Sequence, residues 1–152
     1  MFHRILLAVD GSAHAQAALW AVTAVAAGSS AEVLVVTICD HHHSAGGRLC
    51  RELVEWNTRR LQLDGVDAHG EVESAAGERT ARAILRVAGR FHADLIVMGS
   101  RGLSDLAGLL VGSVTHEVIH LSTMPVLVVP GREAARALKP EPAFALEPVA
   151  AG

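Results

Sequence analysis

Apolar residues occur along the chain in two alternating arrangements, short unbroken runs and longer stretches with helical spacing. The first run, Ile5-Leu6-Leu7-Ala8-Val9, is closed by Asp10-Gly11-Ser12. An unbroken run ended by a turn signal predicts a strand buried on both faces, as in a parallel sheet. Over 13–27 the pattern changes: Ala15, Leu19, Val22 and Ala26 recur at spacings of four, three and four, the period of one helical face. Gly28 is the expected stop. The unit then repeats. A second buried strand is predicted over 32–38, and a helix over about 44–63 with Leu49, Leu53 and Trp56 on one face. The third strand, 68–73, is weaker, because Gly70 and its charges suit an edge. A helix over 78–91 follows, carried by Ala81, Ile84, Leu85 and Ala88. Strands are predicted over 95–98 and 126–129, with a helix over 113–121 between them. Five strands alternating with four helices predict a single-domain α/β fold with a parallel sheet and right-handed crossovers.

Composition narrows the function classes. The 152 residues, 51% apolar and 19% charged, suffice for one core without staples. A net charge of -3 lacks the basic footprint of non-specific nucleic-acid binding. Two cysteines, Cys39 and Cys50, are too few and too close for a disulfide framework or a four-ligand zinc site, which predicts a reducing compartment. Cys39, ending a buried strand, is expected to be packed rather than reactive. No run approaches the length of a membrane span, and no secretory pattern follows Met1-Phe2-His3-Arg4. The expectation is a cytoplasmic protein with neither membrane nor nucleic acid among its partners. The expected domain is 1–130. Over 131–152 Ala, Pro and Glu dominate, and Pro140, Pro142 and Pro148 exclude a long helix. A short helix over 132–139 inside a flexible tail is the expectation there.

The segment from Gly99 to Thr115 carries the chemistry. It begins where the fourth strand ends and reads Gly99-x2-Gly102-x9-Gly112-Ser113. Glycine lets backbone approach a ligand, and a Gly-Ser pair opening a helix aims N–H groups and a hydroxyl at one point, which suits phosphate. No Lys follows Gly112, so this is not a Walker A loop. A Rossmann fingerprint would follow the first strand, where only Asp10-Gly11-Ser12 stands.

The opening Ile5-Leu6-Leu7-Ala8-Val9-Asp10-Gly11-Ser12, the stretch Asp94-Leu95-Ile96-Val97-Met98-Gly99-Ser100-Arg101-Gly102 and the closing Pro125-Val126-Leu127-Val128-Val129 together resemble the universal stress protein family over about 3–130. The ATP-binding members of that family carry G-x2-G-x9-G-[ST] here, and this chain fits it without a gap. The resemblance implies an adenine nucleotide alpha hydrolase-like sheet of order 3-2-1-4-5 with helices on both faces. It further implies a base pocket of Ala8, Val9 and Ile38, with Asp10 accepting from ribose hydroxyls or the adenine edge. Met98, Gly99, Arg101 and Gly102 would run beside ribose and phosphates, and Gly112, Ser113, Val114 and Thr115 would cradle the phosphate chain. ATP with Mg2+ is the implied ligand and a homodimer through the last strand the implied assembly. The chain departs from the family's frequent Gly-x-Pro before the third helix, where it has Gly77-Glu78-Arg79.

Plainer readings stand beside these. Asp10 also suits an N-cap of the first helix, and the glycines suit ordinary turns. His41-His42-His43 suits a solvated loop better than a metal site, and His116 with His120, at i and i+4, suits an exposed face as well as a metal. Arg101 could pair with phosphate or with Asp105. No catalytic residue is assigned: neither a Walker lysine nor a metal carboxylate stands in the motif. ATP as a regulatory or conformational ligand in stress response is therefore the primary expectation. The alternatives are a slow ATP hydrolase or phosphotransferase, and a nucleotide-free interaction module.

Overall fold

A computed structural model describes residues 1–39, 45–101 and 111–131. Strands β1 (Arg4–Ala8), β2 (Glu32–Ile38), β3 (Asp67–Glu73), β4 (Leu95–Gly99) and β5 (Val126–Val129) alternate with helices α1 (Ala13–Ala26), α2 (Ala45–Leu63), α3 (Thr80–Phe91) and α4 (Ser113–Leu121). All pairings are parallel, and the strand order is β3-β2-β1-β4-β5. Sequence and structure agree on the identity and order of these elements. The expectations for 132–139, the tail and His41 to His43 lie outside the described residues.

Unbroken apolar strands are explained by a core on each face. Ile5, Leu7 and Val9 of the first run, with Val33, Val35, Leu95 and Val97, pack against α1 and α2. The alternating residues Leu6, Leu34, Val36, Ile96 and Met98 pack against α3 and α4. Because side chains alternate along a strand, the central strands are apolar between their ends, with the polar Arg4, Glu32 and Thr37 at or next to a strand end.

Two local expectations need correction. Leu49 and Trp56 do not face the core; they are 61% and 54% exposed, while Val54, Asn57 and Leu61 are buried. The seated stripe of α2 lies one position away from the one the large apolar residues mark, because small and polar residues let the helix approach β3. A Cβ on Gly70 would overlap Val54 Cγ1 and Thr58 Oγ1. The cysteines are the second correction. Cys39 is buried, as expected, but it is bonded to Cys50. Spacing along the chain could not show that α2 returns over the end of β2, bringing the two Cα atoms to 6.5 Å.

An exposed charge network fastens α3 to the end of β3. Arg90 bonds both Glu71 and Glu73, and Arg86 bonds Glu78 at 2.7 Å and the Ser74 carbonyl at 2.8 Å. The hydrogen bond from Arg90 holds the Glu73 carboxyl below the usual glutamate range, with burial opposing it. A depressed carboxyl stabilises the fold above its unfolded pKa, and the contribution disappears as pH falls through the lower folded value. Arg90→Ala is therefore expected to cost at most about 1 kcal/mol at neutral pH, as for an exposed network. The difference from wild type should vanish in strong acid, measured by urea unfolding at both pH values.

Candidate nucleotide-binding site

Strand order reverses between β1 and β4: β1 is followed by a chain that crosses to β2, while β4 lies on its other side. Such a reversal places a crevice at the carboxyl ends of the strands. The turn after β1 is built by Asp10 and Gly11. Asp10 Oδ1 accepts the Ser12 N–H at 3.0 Å, and Gly11 adopts φ +83°, a conformation that side chains disfavour. Ser12 caps α1, its hydroxyl accepting the Ala15 N–H at 3.1 Å. Asp10 is thus not the helix cap, and its exposed carboxylate borders the crevice.

The two loops are stitched together by contacts that no motif announced. Ser12 Oγ donates to the Arg101 carbonyl at 3.4 Å. His14 Nδ1 lies 3.0 Å from Ser100 Oγ. The Ser100 N–H donates to Val129 of β5 at 2.8 Å, and its carbonyl accepts the Gly112 N–H at 2.7 Å. The available signal was a pair of polar residues in the first turn of an Ala-rich helix, which sequence alone does not connect to Ser100.

Gly112 opens α4 with extended backbone and no side-chain cap. Helix geometry leaves the N–H groups of Ser113, Val114 and Thr115 without an intrahelical acceptor, facing outward at the positive end of the helix dipole. Thr115 has a second role: its hydroxyl donates to the Gly99 carbonyl at 2.9 Å and fixes α4 to β4, so what it can offer a ligand is its backbone. Gly99 also has a packing role. A Cβ there would stand 2.6 Å from the His14 carbonyl carbon, so this glycine makes room for α1.

These residues surround one cavity of about 130 Å3. Ala8, Val9, Asp10, Ile38, Met98, Gly99, Arg101, Gly112, Ser113, Val114 and Thr115 all line it, and Gly102 lies outside the described residues. Sequence reasoning missed Ala15, Val36, Thr37, Thr80 and Ile84. The apolar Ala15, Val36 and Ile84 come from strand or helix interiors, where the apolar pattern cannot distinguish a core wall from a cavity wall. The lining combines the apolar Val36, Ile38, Ile84 and Met98, which pack in one cluster, with Asp10, Arg101 and the start of α4. A second hollow shares Ser113 and adds Arg79, Arg82, His116 and His120, with Arg79 paired to Glu117 at 3.4 Å. Among the described residues no cluster of three or more His, Cys, Asp or Glu could hold a metal, and no helix is long and apolar enough to cross a membrane.

The model of the Universal stress protein family matches residues 1–130. The chain belongs to the universal stress protein family. A universal stress protein of Thermus aquaticus is 35% identical over 138 residues, covering 85% of this chain and 99% of the relative. Among solved structures, a universal stress protein from Archaeoglobus fulgidus superposes with a TM-score of 0.74 at 22% identity, over 85% of this chain and 99% of that one; it establishes the fold. A universal stress protein in complex with cAMP matches with a TM-score of 0.69 at 27% identity, over 85% of this chain and 97% of that one.

Proposed function

We propose that this universal stress protein binds an adenine nucleotide, ATP with Mg2+ in the first instance, as a regulatory ligand in stress response. The observation that carries the reading is the meeting, at the strand reversal, of an apolar slot, the Asp10 carboxylate and the start of α4 in one cavity. Each part matches one part of a nucleotide. Ala8, Val9 and Ile38 offer the apolar contact that a base requires. Asp10 offers an acceptor to ribose hydroxyls or the exocyclic amine. Met98, Gly99 and Arg101 would pass ribose and phosphates, and the N–H groups at the start of α4 suit phosphate oxygens. The cAMP complex of a universal stress protein at 27% identity supports an adenine nucleotide as the ligand.

Size and charge favour a polyphosphate. At about 130 Å3 the cavity is below the range of about 300–1,000 Å3 that encloses a whole drug-sized ligand. The base would fill it, leaving the phosphates in the open mouth, where Ser113 adjoins the hollow of Arg79 and Arg82. Mg2+ would arrive on the phosphates rather than in a protein cage.

Titration calorimetry with Mg-ATP tests the binding: saturable heat at submillimolar nucleotide is expected, and none at millimolar ATP on folded protein rejects the reading. Native mass spectrometry on the same sample counts subunits. A dimer is expected, covering the apolar edge of β5, whose Val126, Leu127 and Val128 are only half-buried.

A further inference from the structure

The covalent bond between Cys39 and Cys50 ties together two segments that adjoin residues of the cavity. Cys39 directly follows Ile38, the last residue of β2 and part of the cavity wall, and its N–H donates to the Glu73 carbonyl of β3 at 2.7 Å. Cys50 lies on α2 one turn before Leu53. The Leu53 methyls stand 3.9 Å from where a Cβ on Gly11 would be, so this part of α2 backs the turn that carries Asp10. The bond thus joins the strand end next to Ile38, a cavity residue, to the helix that packs on the turn holding Asp10, another cavity residue.

The chemistry at hand is self-contained. These are the chain's two cysteines, so the bond has no internal competitor for exchange. Cys39 is 6% exposed and Cys50 is half-buried, which makes Cys50 Sγ the sulfur that an incoming thiolate reaches.

We infer that the Cys39–Cys50 pair is a reversible oxidation site through which a low-molecular-weight thiol–disulfide couple sets the nucleotide affinity of the cavity. A thiolate attacks Cys50 Sγ, forming a mixed disulfide and releasing Cys39 as thiolate, which takes a proton. A second thiolate attacks the small molecule's sulfur in the mixed disulfide, releasing Cys50 and the oxidised small disulfide. Two small thiols are oxidised and one protein disulfide is reduced to two thiols. With the bond open, the Ile38 end of β2 and the Asp10–Gly11 turn lose their common tie. The cavity then has to be ordered by the ligand, which weakens binding.

The ligand half of this inference rests on the nucleotide reading, so the test has three arms on the full chain. Alkylation and mass measurement across a glutathione redox buffer, without nucleotide, should show two thiols appearing together and disappearing on reoxidation. Amide exchange should quicken over 9–12 and 36–39 in the reduced protein. Calorimetry should show the ATP dissociation constant rising at least about fivefold on reduction, with the Cys39→Ser/Cys50→Ser protein matching the reduced form and ignoring reductant. A bond that persists through the reducing buffers overturns the inference, as does unchanged exchange in both segments, or equal ATP affinity in the two forms. If neither form binds ATP while exchange still responds, the nucleotide reading fails and the redox coupling to the cavity walls stands.

Discussion

Gly99→Val is expected to destabilise the protein by about 3 kcal/mol or more in the absence of any nucleotide. Gly99 is buried at the end of β4, and a Cβ would meet the carbonyl carbon, Cβ and carbonyl oxygen of His14 at 2.6, 2.7 and 2.8 Å. Two of these atoms are helix backbone, which cannot swing aside as a flexible side chain can. Overpacking a close-packed site usually costs about 1–3 kcal/mol, and here the relief would require α1 to lift off β4. That lift would also pull His14 from Ser100 and Ser12 from Arg101, the two contacts that join the loops. Urea unfolding of the nucleotide-free protein measures the effect, and Gly99→Ala should fall between wild type and Gly99→Val. Were the glycine needed only to let a ligand approach, the empty protein would keep its full stability.

Asp10 carries the second large effect, this time on binding. Its Oδ1 already accepts the Ser12 N–H at 3.0 Å, so the carboxylate both forms the turn and offers its other oxygen to the cavity it lines. Asp10→Asn separates the two roles. The amide oxygen can still accept from Ser12, while the NH2 group in the other position can no longer accept from a hydroxyl or amine. A hydrogen bond to a charged group contributes about 1.5–3 kcal/mol, so ATP affinity should fall about 10- to 100-fold in Asp10→Asn, with the unfolding midpoint unchanged. Asp10→Ala should lose the same affinity and some stability as well. Wild-type affinity in Asp10→Asn, by calorimetry, would leave Asp10 as a turn-former alone.

The glycine motif illustrates how a correct spacing can conceal different physical reasons. Gly112 does open α4, and Gly11 does need its left-handed backbone. Gly99, in the same motif, is explained by the passage of a helix that begins far earlier in the chain. A spacing pattern records that a side chain is excluded; it does not record what excludes it.

Local chemistry was enough for much of this protein. Apolar runs and helical spacing identified the elements of the described residues in their order, because burial on both faces marks the central strands, while β3 at the edge, with Gly70 and its charges, left a weaker trace. The loops after β1 and β4 were legible for the same kind of reason, since Asp-Gly-Ser and the glycine spacing are properties of neighbouring residues. Tertiary structure decided the rest. Which stripe of α2 is buried depends on Gly70, across the interface. Cys39 and Cys50 are bonded because α2 turns back over the strand it follows. His14 and Ser100 meet, and Thr80 and Ile84 become cavity walls, because distant segments converge at the strand reversal. Periodicity reports how a residue relates to water and to its near neighbours, whereas partners brought from elsewhere in the chain leave no mark in that signal.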